Sequence, residues 1–262
     1  SADYVYGLYH HCGNTNFWLM LKLLKYNHFR IKKTKLPYFL TWMKKTPYSA
    51  FCEGDDYWID PDKLRRQVQY LDSNLECGMV YTRCYRTEEG KSRDDIWGGP
   101  KTELKDLLFD NTIPTLTVVV RNEVEFRYFD DVMPDTHSWK MGDYPRWLWY
   151  AAESKIGYMN KPTSVYRVLP ESASHSKSLD KMLAFADNFY DIKRYFDQKY
   201  NLGQSRRLEQ LRCSHKLARI SRTDDVSRLR AVWVQAIGKD NRNLLILRNW
   251  FYLLRCIGNK LH

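Results

Sequence analysis

Glu53-Gly54-Asp55-Asp56 puts three carboxylates within four positions, and no other stretch of the chain carries as much chemical potential. Acids crowded together repel one another, so a folded turn of this kind is costly unless a cation shares the site. Hard oxygen ligands suit Mg²⁺ or Mn²⁺. Mg²⁺ in particular keeps several waters and takes its remaining ligands from substrate phosphates. An apolar run from Tyr48 to Cys52 leads into the cluster, as a buried strand end would, and Pro61 with a helical pattern from Lys63 to Leu71 follows it. The same residues also suit a solvated acidic turn ahead of a helix, with Asp62 near the helix N-terminus.

The residues around the acids narrow the choice. Cys52-Glu53-Gly54-Asp55-Asp56-Tyr57-Trp58, then Asp60-Pro61, Lys63-Leu64 and Gln67, resemble the D-x-D region of bacterial family 2 glycosyltransferases with a GT-A fold. Asn111 to Arg121 (Asn-Thr-Ile-Pro-Thr-Leu-Thr-Val-Val-Val-Arg) resembles that family's segment leading into the acceptor half. Met141-Gly142-Asp143-Tyr144-Pro145 with Trp147-Leu148 resembles its G-D-x-P-x-W-L segment, which carries the catalytic base. Ile156-Gly157-Tyr158, Val165-Tyr166-Arg167-Val168 and Ser172-Ala173-Ser174-His175 resemble the strand and loop that close the donor site. The four segments stand in the family's order over about residues 39–176. The family's usual opening, a strand–helix–strand half that holds the nucleotide base, is not recognisable in residues 1–38, which run from Ser1 into an apolar and basic stretch.

The resemblance implies a role for each residue. Asp56 is the main metal ligand. Asp55 lies near the donor ribose or shares the metal, and Glu53 occupies the first acid position, where the family usually has aspartate. Arg167 offers bidentate contact to the diphosphate, and His175 reaches the metal or a phosphate oxygen. Asp143 is the base. At the start of a helix its anion is favoured by backbone N–H groups, which suits a base that accepts a proton as the sugar bond breaks. The alternative for Asp143 is a plain helix cap. The implied activity is transfer of a sugar from a nucleotide-sugar donor to a surface-polysaccharide or lipid-linked acceptor, assisted by Mn²⁺ or Mg²⁺. A non-catalytic or truncated relative is the alternative that residues 1–38 motivate.

Several elements must position these residues. Helical spacing covers Leu36–Lys45, Lys63–Leu71, Thr102–Phe109 and Asp143–Ala152. Strand-like composition covers Tyr48–Cys52, Cys77–Cys84, Leu116–Val120, Ile156–Tyr158 and Ser164–Val168, while Glu88–Pro100 reads as a polar loop. Alternating helices and strands predict α/β layering, and the resemblance implies that residues 1–180 form it as a GT-A-like mixed sheet with flanking helices. The remainder, 181–262, reads as a basic helical extension that begins with a long amphipathic helix, Leu179–Tyr200. Residues 203–262 hold thirteen Lys and Arg against four Asp and Glu. Their last helical stretch sets Trp250, Phe251 and Tyr252 beside Arg248 and Arg255, a pattern that suits a helix lying in a membrane interface or one packed on its neighbours.

Composition bounds the rest. With 44% hydrophobic and 28% charged residues, the chain is ordinary for a globular protein, and its 15% aromatic content is high. The formal net charge of +11 attracts polyanions of any kind. A basic nucleic-acid-binding protein is thereby a further reading, but no nucleic-acid-binding motif accompanies the charge, and no nucleic-acid partner is expected. Six scattered cysteines form no C-x-x-C and no zinc spacing, which predicts reduced, buried thiols. No signal peptide and no membrane-spanning run is present, which predicts a cytoplasmic protein with peripheral contact at the inner face of the membrane.

Overall fold

The structure, a computed structural model, describes residues 40–88 (residue 42 excepted), 91–132, 139–168, 178–222 and 225–258. In chain order the elements are β1 (Tyr48–Ala50), β2 (Tyr57–Trp58), α1 (Lys63–Ser73), β3 (Cys77–Glu88), β4 (Lys91–Trp97), α2 (Leu104–Phe109), β5 (Val119–Arg121), α3 (Asn122–Asp131), α4 (Tyr144–Glu153), β6 (Lys155–Val168), α5 (Leu179–Lys199), α6 (Ser205–Ile220), α7 (Val226–Lys239) and α8 (Leu247–Gly258). The architecture is mixed α/β. Two compact units divide it. One comprises residues 1–102, 112–131 and 154–167, and the other residues 103–111, 132–153 and 168–262.

The first unit holds a six-stranded sheet in the order β1-β5-β3-β6-β2, with β4 paired to β3. β5 lies antiparallel to both β1 and β3, placing Val120 opposite Ser49 and Met79. β2 pairs antiparallel with β6, Tyr57 opposite Val165. α1 packs on this sheet through a cluster of Leu71, Cys77, Val80 and Val119. Fully burying an aliphatic side chain of this size contributes about 1.5–3 kcal/mol.

The buried face of α1 is Lys63, Gln67 and Leu71, one residue every turn. Two of the three are polar, and their partners explain it. The Gln67 amide donates to the Val80 carbonyl at 3.1 Å and to the Thr117 carbonyl at 2.8 Å. Its oxygen accepts from the Lys63 ammonium at 2.7 Å. One side chain therefore ties α1 to β3 and to the 3-10 turn Thr115–Thr117 that leads into β5. Arg121 does comparable work at the other end of the helix, donating to the Cys77 carbonyl at 2.9 Å and to the Leu71 carbonyl.

The second unit is helical. In α4 the residues Tyr144, Trp147, Leu148, Trp149 and Tyr150 are all buried. The Tyr144 hydroxyl donates to the Leu107 carbonyl at 2.8 Å, and the buried Lys193 ammonium of α5 donates to the Phe109 carbonyl at 3.2 Å. The short helix α2 thus has its last carbonyls satisfied by side chains rather than by water. A second apolar cluster joins Leu183 of α5, Cys213, Leu217 and Ile220 of α6, and Leu229, Trp233 and Ala236 of α7.

Three expectations change. Glu88–Pro100 is not a loop: β3 runs to Glu88 and returns as β4, with Cys84 opposite Trp97 and a register shift between Tyr85 and Thr87. The two short strands expected around Gly157 and Tyr166 are one strand, β6, extended through Pro162. The lead-in to the acids is not buried, because β1 is a half-buried edge strand and Cys52 is exposed. Cys77, Cys84 and Cys213 are the buried free thiols among the described residues. The sequence pattern did not announce α3.

Candidate functional site

The acid cluster forms a tight turn between β1 and β2. The Asp56 amide donates to the Glu53 carbonyl at 3.0 Å, closing the turn over Gly54 and Asp55. Asp60, just beyond β2, is held by cations: it accepts from Lys161 at 3.1 Å and from Arg66, and from the Asp62 amide at 3.0 Å. Burial opposes its ionisation, but Lys161, that amide and Arg66 together hold Asp60 below the usual carboxylate range. Asp60 therefore fixes where α1 starts.

Asp56 is in a different situation. It is only 6% exposed. Its Oδ1 accepts the backbone amide of Arg167 at 2.9 Å, and its Oδ2 is buried without a hydrogen-bond partner among the described residues. Burial pushes its pKa up to about 7; the Arg167 amide resists, while the neighbouring charges of Asp55 and Glu53 add to the rise. An uncompensated buried carboxylate oxygen is costly and calls for an explanation.

Arg167 clamps the turn twice. Its amide holds Asp56, and its guanidinium Nε donates to the Asp55 carbonyl while the side chain stays exposed. Glu53 is exposed and Asp55 half-buried in the same turn. The sequence-based assignments to Glu53, Asp55, Asp56 and Arg167 are thus brought together at one place. His175 lies outside the described residues. Asp143 belongs to the second unit. It stands one residue ahead of α4, its Oδ1 accepting the Tyr144 amide at 2.8 Å and its carbonyl the Trp147 amide at 3.1 Å. A Cβ on Gly142 would meet no atom within 4 Å.

The surroundings of the turn hold two residues that spacing alone did not assign to it. Trp58 donates through its indole N–H to the Leu116 carbonyl at 2.8 Å, and its ring lies 4.6 Å from the Lys63 ammonium. Lys63 is buried, which pulls its pKa down to about 7 against the opposing charges of Cys52 and Asp60. The alternation of polar residues on a buried helix face was the available signal for Lys63 and Gln67.

Among the described residues, no group of three or more His, Cys, Asp or Glu side chains is arranged to hold a metal ion. Mg²⁺ is commonly bound through only one or two carboxylates, with waters and phosphate oxygens completing the shell. The orphaned oxygen of Asp56, with Asp55 beside it, fits that minimal donor set. Because Oδ2 is closed off from solvent, a cation reaches it only if the turn or Arg167 shifts.

No protein-family model matches the chain. It is similar to two mycobacterial proteins described as uncharacterized, one from Mycobacterium tuberculosis and one from Mycobacterium bovis. Each is 30% identical over 139 residues, which is 51% of this chain and 38% of the relative. The chain thus spans well under half the length of the curated relatives it matches.

Proposed function

We propose that this chain is a glycosyltransferase of the GT-A type, moving a sugar from a nucleotide-sugar donor to a hydroxyl of a surface-polysaccharide or lipid-linked acceptor. The observation that carries the reading is Asp56: a buried carboxylate with one oxygen fixed by the Arg167 amide and the other lacking a partner among the described residues, in a turn with two more acids. Mixed α/β layering, with the acids at the end of a strand, supports the same reading.

In this reading Asp56, with Asp55, holds Mg²⁺ or Mn²⁺. When bound, the cation neutralises charge building on the leaving diphosphate. Arg167, with its exposed guanidinium, would supply a second positive group to that charge. Glu53, exposed in the same turn, contributes to donor binding by its place in the resembled motif. By the resemblance alone, Asp143 is the base that takes the proton from the acceptor hydroxyl.

A panel of nucleotide-sugars in a thermal-shift assay, with and without Mn²⁺, tests the proposal. One donor class raising the melting temperature only with the metal, and failing to do so in Asp56→Asn, is the expected result. A wild-type chain indifferent to every donor and to Mn²⁺ would overturn it.

A further inference from the structure

α8 is anchored on one side and bare on the other. On the anchored side Asn249 is fully buried, accepting the Ser214 hydroxyl at 2.6 Å and donating to the Asn243 carbonyl at 3.4 Å. Tyr252 and Leu253 pack against the cluster built from α5, α6 and α7. On the bare side Leu247 is 84% exposed, Phe251 59% and Leu254 67%. Trp250 lies at the margin, its ring edge-on to Trp233 at 5.2 Å and still partly exposed. Positions 247, 250, 251 and 254 fall on one face of a helix. Leu245, in the turn before it, extends the apolar stripe.

The charge around this stripe selects its partner. Residues 241–262 contain Arg242, Arg248, Arg255 and Lys260 and no Asp or Glu. The acid just ahead, Asp240, is taken up by Arg206 at 2.8 and 3.2 Å. A second copy meeting the first through this face would bring two such cationic segments together. A surface that offers hydrocarbon and negative charge at once satisfies both features. No helix among the described residues is long and apolar enough to cross a membrane, so the contact is one of lying on the surface.

We infer that α8 docks this protein on anionic lipid bilayers, with Leu247, Phe251 and Leu254 entering the interface and Arg255 near the headgroups. The inference stands independently of the sugar-transfer reading. Deleting α8 would strip the cover from the helical cluster, so the test uses exposed positions only.

The full chain is floated with phosphatidylcholine vesicles, with and without phosphatidylglycerol. The wild type is expected to float with the anionic vesicles and to be released by salt, which screens the charge component. Phe251→Glu with Leu254→Glu should weaken binding by about tenfold or more, with an unchanged melting curve. Arg255→Glu should weaken it several-fold. Three results would overturn the inference: equal flotation with neutral vesicles, wild-type flotation by the double variant, or a dimer by light scattering that the double variant converts to monomer. The last would make the face a self-interface.

Discussion

Arg167 and Asp56 meet through a backbone amide: the N–H of Arg167 donates to Oδ1 of Asp56 at 2.9 Å across 111 positions of sequence. A bond from the main chain depends on the register of β6, not on the side chain at 167. The guanidinium is left for a separate task, its grip on the Asp55 carbonyl. The carboxylate is held through Oδ1, while its Oδ2 is buried without a hydrogen-bond partner among the described residues.

Removing that charge tests the site directly. Asp56→Asn keeps an acceptor for the Arg167 amide while discarding the anion. Affinity for Mn²⁺ in the presence of a nucleoside diphosphate should fall by about tenfold or more, a scale reached even by residues that only orient a metal ligand. The fold should not weaken, because a buried charge has been removed. Titration calorimetry and a melting curve on the same variant check both halves. Unchanged metal affinity would return the acids to the status of a simple turn.

Asp143 should separate binding from chemistry. Asp143→Asn retains the acceptor for the Tyr144 amide and so the start of α4. Turnover is expected to drop by ~10²-fold or more with donor binding intact. Gly142→Ala, whose added methyl meets no atom within 4 Å among the described residues, should melt and turn over like the wild type. Wild-type turnover in Asp143→Asn would leave Asp143 a helix cap only.

The acid turn, α1, α4 and the long helix α5 were legible in the sequence, because each rests on local signals: clustered charge, a proline near a helix start, or a helical stripe. What was not legible depends on partners distant in sequence. β4 is polar and takes its strand form from pairing with β3. Arg167 can be read as a phosphate ligand from its type, but not as the clamp on Asp56, which requires β6 to return beside the turn. The grouping of α2 and α4 with the C-terminal helices rests on Tyr144 and Lys193 reaching the carbonyls of Leu107 and Phe109. No local pattern encodes those bonds.

Gln67 should matter more than its polar character suggests. Gln67→Ala leaves the Val80 and Thr117 carbonyls and the Lys63 ammonium without their partner, all in a buried place. The expected loss is about 2–4 kcal/mol in denaturant unfolding. Lys63→Met removes a buried ammonium and should cost clearly less. The reverse ranking of the two variants would show that Lys63, not Gln67, holds α1 on the sheet.

Gly157 is required by a neighbour. A Cβ there would sit 2.3 Å from Cε1 of Tyr70 and 2.9 Å from its Cζ. Gly157→Ala therefore pushes the Tyr70 ring out of its place between α1 and β6, at a cost of about 1–3 kcal/mol. Adding Tyr70→Ala to that variant removes the clash, so the double variant should lose less than the sum of the two single losses. Strict additivity in urea unfolding would show that the two residues do not compete for the same space.

Lys193 gives a pH dependence whose sign follows from burial. Its ammonium lies 4.3 Å from the Phe189 ring centroid and 5.1 Å from that of Tyr190, and donates to the Phe109 carbonyl. These contacts favour the charged form, as does Asp110, but desolvation outweighs them and lowers the pKa from 10.5 to about 8. Between those two values the unfolded chain binds the proton that the folded one has released, so stability from this residue rises with pH over that window. Below about pH 8 both states are protonated and the full penalty of the buried charge is present. Lys193→Met keeps the stem and removes the charge. It should therefore be more stable relative to the wild type at pH 7 than at pH 10, by about 1–3 kcal/mol. Urea unfolding of both proteins at the two pH values measures it. A difference that does not change with pH would mean that the aromatic faces and the carbonyl fully offset desolvation and hold Lys193 charged throughout.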